Sequence, residues 1–427
     1  MTLLRRERPA RALGRPGRPN FCACPICRVC RAACMGLSHG HAAKHSGGMT
    51  HPSSSAADPS PEVAIPTATA EPVPRGDFLL VTCQGGAEDA VATRMVKFLP
   101  GCTRGAWRRG ALSFRLPAGS DPSSAALDAL QANLVFARAV VRCFGQIHWK
   151  GDGLLEALRQ RLPEGSFDAV HLFPRDVRAQ TAADVAAGGR EAARRAGLTG
   201  EFPTATFTAA DPGDVVLDCL ADSDDRWWVG WHRATTPASC WPGGFYPGPL
   251  PGDKVSRAWL KLDEAINFFG IPLQPGARAV ELGASPGGAC QRLLEAGLDV
   301  VGIDPALVDP VVAAEPRFIQ WRMRAREVRL RDLRGFDWVV ADMNIDPAST
   351  MEALRRVVTA PGARPEGIIA TLKLPDWSRA GELDGWLAEF RGWGFLPRAR
   401  QLSTGGREVC VFAVNRKGRR ATPRRDR

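Results

Sequence analysis

Between about residue 254 and residue 416 the chain alternates helix and strand. One turn in that stretch constrains the fold more than any other feature: "ELGASPGG", Glu281 to Gly288. The apolar run "RAVELGA" leads into it as a strand, and "GGACQRLLEAG" leads out as a helix. Small residues at such a junction let a ligand approach the backbone, and the helix N-terminus offers free N–H groups. Around the turn, "SRAWLKLDEAINFFG" sets Trp259, Leu262, Ile266 and Phe269 at helical spacing. "LDVVGID", "FDWVVADM", "GIIATLKL" and "REVCVFAVN" read as strands, and "ASTMEALRRVV" and "GELDGWLAEFRGWG" as helices. Repeated β–α units with apolar strands predict an α/β fold whose parallel-dominated sheet is covered on both faces.

The strand after the turn ends in Asp304, an acidic residue placed to accept hydrogen bonds from ribose hydroxyls. Two kinds of cofactor fit this pattern. A dinucleotide calls for G-x-G-x-x-G around its pyrophosphate. The chain has G-x-x-P-G-G instead, and Pro286 removes one N–H donor that a phosphate would use. A ligand with an adenosine and no phosphate fits better, and S-adenosylmethionine is the expected one. Its predicted cradle is Glu281, Gly283, Ala284, Ser285, Pro286, Gly287, Gly288, Asp304 and Asp342.

The rest of the chain divides by composition. Residues 1–76 hold an Arg/Pro/Gly-rich start, the cluster Cys22, Cys24, Cys27, Cys30, Cys34, His39, His41 and His45, and a Pro/Ser/Ala linker with nothing to bury. The cluster has soft ligands enough for zinc or iron–sulfur, but its spacing fits no standard finger. A start codon set too early, with translation beginning at Met35 or Met49, is the expectation preferred here, and no metal is expected. Residues 77–250 read as α+β, with "DFLLVTC", "ALSFRL" and "FDAVHLF" as strands and "DVVLDCLADSDDRWWVGWHRA" as a hairpin turning at 222–225. Residues 417–427 form a basic tail.

The net charge of +11 and pI near 9.4 point to a polyanionic partner, with RNA or DNA first. Single cysteines among apolar neighbours predict reduced, buried thiols in a cytoplasmic protein. No apolar run approaches bilayer length, so no membrane partner is expected.

Only seven of the 56 basic residues are lysines, yet Lys373 ends the buried-looking strand "GIIATLKL". Arginine cannot lose its proton in a protein, whereas a partly buried lysine can. Together "SRAWLKLDEA", "ELGASPGG", "FDWVVADM", "GIIATLKL" and "GREVCVF" resemble, in order and spacing, the FtsJ-like ribose 2′-O-methyltransferases. "DMNID" and "ATLKLP" look closest to the bacterial branch that methylates a cytidine ribose of 23S ribosomal RNA. The resemblance implies a Rossmann-like methyltransferase domain over 254–416, preceded by an RNA-binding region, THUMP-like by position, over 77–250. It implies a catalytic tetrad of Lys261, Asp342, Lys373 and Glu408, with 23S ribosomal RNA or a large-subunit precursor as partner.

Chemically the tetrad makes sense, because a ribose hydroxyl must lose its proton at or before attack on a methyl group. The expectation is that Lys373 is the base, held by Asp342 and Glu408, with Lys261 stabilising the developing oxyanion. Burial and a second cation would lower the Lys373 pKa, and the two carboxylates would raise it. Two departures stand out. Ala289 and Cys290 follow the glycine pair where relatives have an aromatic, and Glu327 is a weak stand-in for an acid near the adenine. Arg322, Arg324, Arg326, Arg329, Arg331 and Arg334 could grip RNA phosphates or form a solvated helix face. The alternative function is an inactive methyltransferase fold that binds RNA or the ribosome, which the complete tetrad disfavours.

Overall fold

Two seven-stranded sheets organise the protein in a computed structural model that describes residues 78–162, 167–175, 182–195 and 209–416. The cysteine–histidine cluster, the linker and the basic tail lie outside the described residues.

The first sheet comprises β1 (Phe78–Cys83), β2 (Thr103–Arg108), β3 (Ala111–Arg115), β4 (Ala137–His148), β5 (Ala169–Pro174), β6 (Val215–Ser223) and β7 (Arg226–Arg233). Its order is β2-β3-β1-β4-β7-β6-β5. Every pairing is antiparallel except β5 with β6. β6 and β7 form the hairpin expected around 222–225. At the centre stands β4, which the sequence pattern had not marked as a strand. It carries two arginines into the interior, Arg138 at 2% and Arg142 at 1% exposure. Buried cations need compensation. Arg142 pairs with Asp121 at 2.8 Å, and the Arg138 guanidinium stands 4.3 Å from the centre of the Phe245 ring.

The second sheet comprises β8 (Arg278–Leu282), β9 (Asp299–Ile303), β10 (Phe318–Trp321), β11 (Trp338–Ala341), β12 (Gly367–Lys373), β13 (Phe395–Arg400) and β14 (Glu408–Asn415). Its order is β10-β9-β8-β11-β12-β14-β13. The first five strands in that order are parallel, and β14 and β13 close the edge antiparallel. Chain order reverses between β8 and β11, so a crevice opens at the carboxyl ends of those strands, where open α/β sheets bind ligands.

The sheets share one apolar cluster. Leu79, Val81, Met95 and Phe136 lie in the same buried group as Leu282, Val339, Leu372 and Phe390. Polar bonds cross as well. Asp384 receives Arg94 at 3.1 Å and Lys97 at 2.7 Å. Tyr246 donates its hydroxyl to Asp263 and its N–H to Ser403 Oγ at 2.9 Å. Gly86, at φ +103°, admits the Trp377 indole so closely that a Cβ there would lie 2.6 Å from Nε1. Trp377 follows Lys373 by four residues, so the first sheet braces the loop that leaves β12. Among the described residues no helix is long and apolar enough to cross a membrane.

Candidate active site

Four charged side chains meet at the carboxyl ends of β11 and β12. Lys373 closes β12, and its antiparallel partner in register is Glu408, the first residue of β14. That pairing sets Lys373 Nζ 2.5 Å from Glu408 Oε2. Asp342 follows β11 directly, and its Oδ1 lies 2.9 Å from the same Nζ. Lys261, on the helix Ala258–Phe269, bonds Asp342 Oδ2 and reaches Glu408 Oε1 at 3.4 Å. The result is a closed ring of alternating sign: Lys261, Asp342, Lys373, Glu408. All four side chains expose less than a quarter of their surface, Lys373 the most at 23%.

Neighbouring structure fixes the ring. Fully buried Glu264, one turn along the helix from Lys261, accepts four hydrogen bonds from the backbones and hydroxyls of Ser403 and Thr404. That anchor ties the helix to the loop entering β14, and so ties Lys261 to Glu408. Gln401 adds a second tie, donating to Gln84, the residue after β1, and to the Gly406 carbonyl at 3.0 Å.

Electrostatics decide the resting state. Burial works against the Lys373 ammonium, but Glu408 and Asp342 together outweigh it and raise the pKa well above the ordinary lysine value. Burial likewise works against the Asp342 carboxylate, and Lys261 and Lys373 overcome it, so Asp342 is held below the usual range. Desolvation therefore does not leave Lys373 neutral: the resting lysine is an ammonium.

The glycine-rich turn lies beside this ring. Gly283, at φ +82°, follows β8, and a Cβ on it would meet Met343 Cγ at 2.7 Å. Gly287 and Gly288 have packing reasons of their own: side chains there would strike Val312 at 3.0 Å and Ser256 Oγ at 2.2 Å. Ala284 is buried, while Ser285 and Pro286 reach the surface. Asp304 accepts the Ser285 N–H at 3.2 Å and the Ala306 N–H at 2.8 Å, so it shapes the turn. Glu281 is 2% exposed and its Oε2 has no hydrogen-bond partner. Burial pushes its pKa up to about 8, the Cys290 thiol lowers it, and Asp342 and Asp304 raise it. Three acids thus share one crevice. An orphaned carboxyl oxygen and a ring of acids fit a ligand that brings positive charge and hydroxyls, as S-adenosylmethionine does, and suit a pyrophosphate poorly.

The arginine-rich segment after β10 is not a helix face. Two 3₁₀ turns, Ala325–Glu327 and Leu330–Leu333, carry it. Glu327 is spent on the Arg324 N–H at 2.9 Å. All six arginines are exposed, and the segment runs from the end of β10 back to the start of β11, where Arg334 donates to the Pro361 carbonyl at 2.7 Å. The sequence reading missed a pocket beside Lys373, lined by Asn344, Ile345, Pro375 and Arg407 among others. The only sequence signal for it is position, since these residues flank Asp342, Lys373 and Glu408.

Comparison with known proteins bears on this site. The profile of a family described as FtsJ-like methyltransferase matches residues 254–367. A ribosomal RNA large subunit methyltransferase M of Halorhodospira halophila is 28% identical over 347 residues, which is 78% of this chain and 96% of that protein. The protein of that name from Xylella fastidiosa is 33% identical over 202 residues, 45% of this chain and 56% of its own length. The chain thus spans nearly the whole of one such relative and about half of the other. Among solved structures, TrmN from Thermus thermophilus matches 79% of this chain and 99% of its own at 16% identity, but its TM-score of 0.32 carries no weight. Residues 254–367 thus match the FtsJ-like methyltransferases, a family whose members take their methyl group from S-adenosylmethionine.

Proposed function

We propose that this protein methylates a ribose 2′-hydroxyl of large-subunit ribosomal RNA, a cytidine of 23S ribosomal RNA in particular. The observation that carries the proposal is the ring of Lys261, Asp342, Lys373 and Glu408 beside the glycine-rich turn. The names of the relatives and the net charge of +11 support RNA as acceptor.

Within this proposal, Lys373 takes the hydroxyl proton. A ribose hydroxyl is a very weak acid, so its acceptor must bind a proton strongly, and the raised pKa of Lys373 meets that demand. The same property keeps Lys373 protonated at rest, so it must first shed a proton. When bound, S-adenosylmethionine supplies a methyl group activated by positive charge on sulfur, a charge that also opposes the Lys373 ammonium. Asp342 and Glu408 then stabilise the ammonium that reforms, and Lys261 stabilises the oxygen as charge develops on it. Glu281, Gly283 through Gly288, Asp304 and Asp342 would hold the donor.

We further assign residues 77–250 to RNA binding as a THUMP-like region and 254–416 to catalysis, with 1–76 as an extension, 417–427 as a basic tail and the cytoplasm as location. Mass spectrometry of ribosomal RNA from cells with and without the gene tests the substrate. The expected result is loss of one 2′-O-methylated cytidine; an unchanged set of modified nucleotides rejects it. Titration of the protein with S-adenosylmethionine tests the inactive reading, since absence of binding at millimolar donor would favour an RNA-binding protein without turnover.

A further inference from the structure

The pocket beside Lys373 has a volume of about 490 Å³, within the range of about 300–1,000 Å³ that holds small ligands. Lys373 and Glu408 form part of its wall, so whatever fills it lies against the tetrad. Its charges are almost all committed. Lys373 is matched by Asp342 and Glu408. Asp346 caps the helix Pro347–Val358, one oxygen accepting the Ser349 N–H at 3.0 Å and the other the Ser349 hydroxyl at 2.6 Å. Arg407 is the exception. It is exposed, and among the described residues no carboxylate lies within ion-pair reach of it.

Its placement follows from the backbone. The Leu374 N–H donates to the Arg407 carbonyl at 2.8 Å, one step beyond the Lys373–Glu408 pair. Arg407 therefore lies next to the tetrad, just before β14 begins, at the mouth of the pocket. The same pocket carries apolar surface that water alone would not favour: Ile345 is 41% exposed, and Pro375 is exposed too. Asn344 adds an amide able to donate and accept.

We infer that this pocket seats the acceptor nucleotide, with Arg407 holding a phosphate next to the target ribose and Ile345 and Pro375 covering the sugar and base. The inference deepens the RNA-methylation reading and rests on it. A nucleotide brings one anionic group and one large flat apolar surface. The pocket offers one uncommitted cation and one exposed apolar wall, while the lysine at its back is already neutralised. A guanidinium matches phosphate geometry with paired donors and keeps its charge at any working pH. Asn344 is the group placed to meet the polar edge of the base. Arg407 is a positioning residue: it fixes where the ribose lies relative to Lys373 and takes no part in proton transfer.

The test uses the full-length protein and ribosomal RNA purified from cells lacking the gene. RNA affinity is measured across a salt series, alongside methyl transfer and donor affinity. Arg407→Gln is expected to weaken RNA binding about tenfold and to lower the slope of log affinity against log salt by about 1. Donor affinity stays unchanged, and Arg407→Lys restores most of the slope. An Arg407→Gln protein with the wild-type salt slope overturns the inference. So does one that loses donor affinity in parallel, since the damage would then be to the fold. RNA binding is read independently of turnover. A wild-type protein that binds RNA with an Arg407-dependent slope and transfers no methyl group rejects the methylation reading and leaves the phosphate contact standing.

Discussion

Each sheet of this protein holds a knot of charge, and the two differ in one decisive way. In the first sheet, Asp218 of β6 bonds His232 Nδ1, and His232 Nε2 donates to the Ser239 carbonyl at 2.6 Å. Both ring nitrogens thus face acceptors. The pair overcomes burial, and His232 is held above its ordinary pKa. His171, fully buried beside it, has neither nitrogen hydrogen-bonded, and burial pushes its pKa well down. The cavity next to His232 is only about 10 Å³. In the second sheet Lys373 is raised and Asp342 lowered by their opposite charges, yet the tetrad opens on about 490 Å³. Shifted titration alone nominates both sites. Access separates them: among the described residues the space beside His232 is too small for a substrate, so its charges hold the fold, whereas the tetrad faces a pocket large enough for a nucleotide.

The largest effect expected from this contrast is kinetic. Lys373→Met removes the proton acceptor and should lower methyl transfer by about 10³-fold or more, at the upper end of what general bases contribute. Donor affinity should change less than about threefold. Lys373→Arg keeps the charge and should be nearly as inactive, because guanidinium does not give up its proton. A Lys373→Arg protein that turns over normally would remove Lys373 from the role of base.

The mirror-image result is expected in the first sheet. His232→Ala leaves the Asp218 carboxylate buried without its partner and should cost about 3–5 kcal/mol of stability. Urea unfolding would show it as a lower midpoint with an unchanged slope. Below the unfolding transition, turnover per folded molecule should stay within about twofold of wild type. A selective loss of turnover would mean the histidine pair is functional after all.

How much of this could be read beforehand differs between the two halves for the same physical reason. The element ends were legible, with Lys373 closing one apolar strand, Asp342 just past another and Glu408 opening a third, while the grouping of those three with Lys261 came from the family resemblance. Apolar period and turn residues mark such places in sequence. β4 was not legible because Arg138 and Arg142 interrupt its apolar run, and contacts such as those with Phe245, Asp121 and the Pro122 carbonyl make those arginines tolerable inside. β10 and β13 are edge strands, short in one case and carrying Pro397 in the other, so their alternation is faint. The direction of the Lys373 shift depended on distances of 2.5 Å and 2.9 Å to two carboxylates, which no spacing along the chain encodes. The pocket around Arg407 is invisible for the same reason, since it assembles from three loop segments.

A smaller effect concerns pH and activity. Lys373 must lose a proton before it can accept one, and its resting pKa lies above the ordinary lysine value. Methyl transfer should therefore keep rising from pH 7 to pH 9 under saturating donor and RNA. His232 takes no part, so its own titration, held above the ordinary imidazole value, should leave no inflection in the profile. A plateau already reached at neutral pH would indicate another proton acceptor.

The smallest expected effect is on stability, and it probes the crevice without any ligand. In the unfolded chain Glu281 titrates near 4.5, and in the folded chain burial moves it to about 8. Below pH 4.5 the group is protonated in both states and its burial costs no charge. Between the two values the folded protein binds a proton that the unfolded chain has released, so stability falls as pH rises through that window. Above pH 8 the carboxylate is charged in both states and the dependence ends. Glu281→Gln keeps the shape and removes the titration, so its thermal denaturation midpoint should vary less than that of wild type between pH 5 and pH 8. The His232–Asp218 pair is intact in both proteins, so it cancels in the difference. If the two proteins show parallel pH profiles, Glu281 is not the protonated acid of the crevice, and Asp342 and Asp304 alone are left to meet a cationic donor.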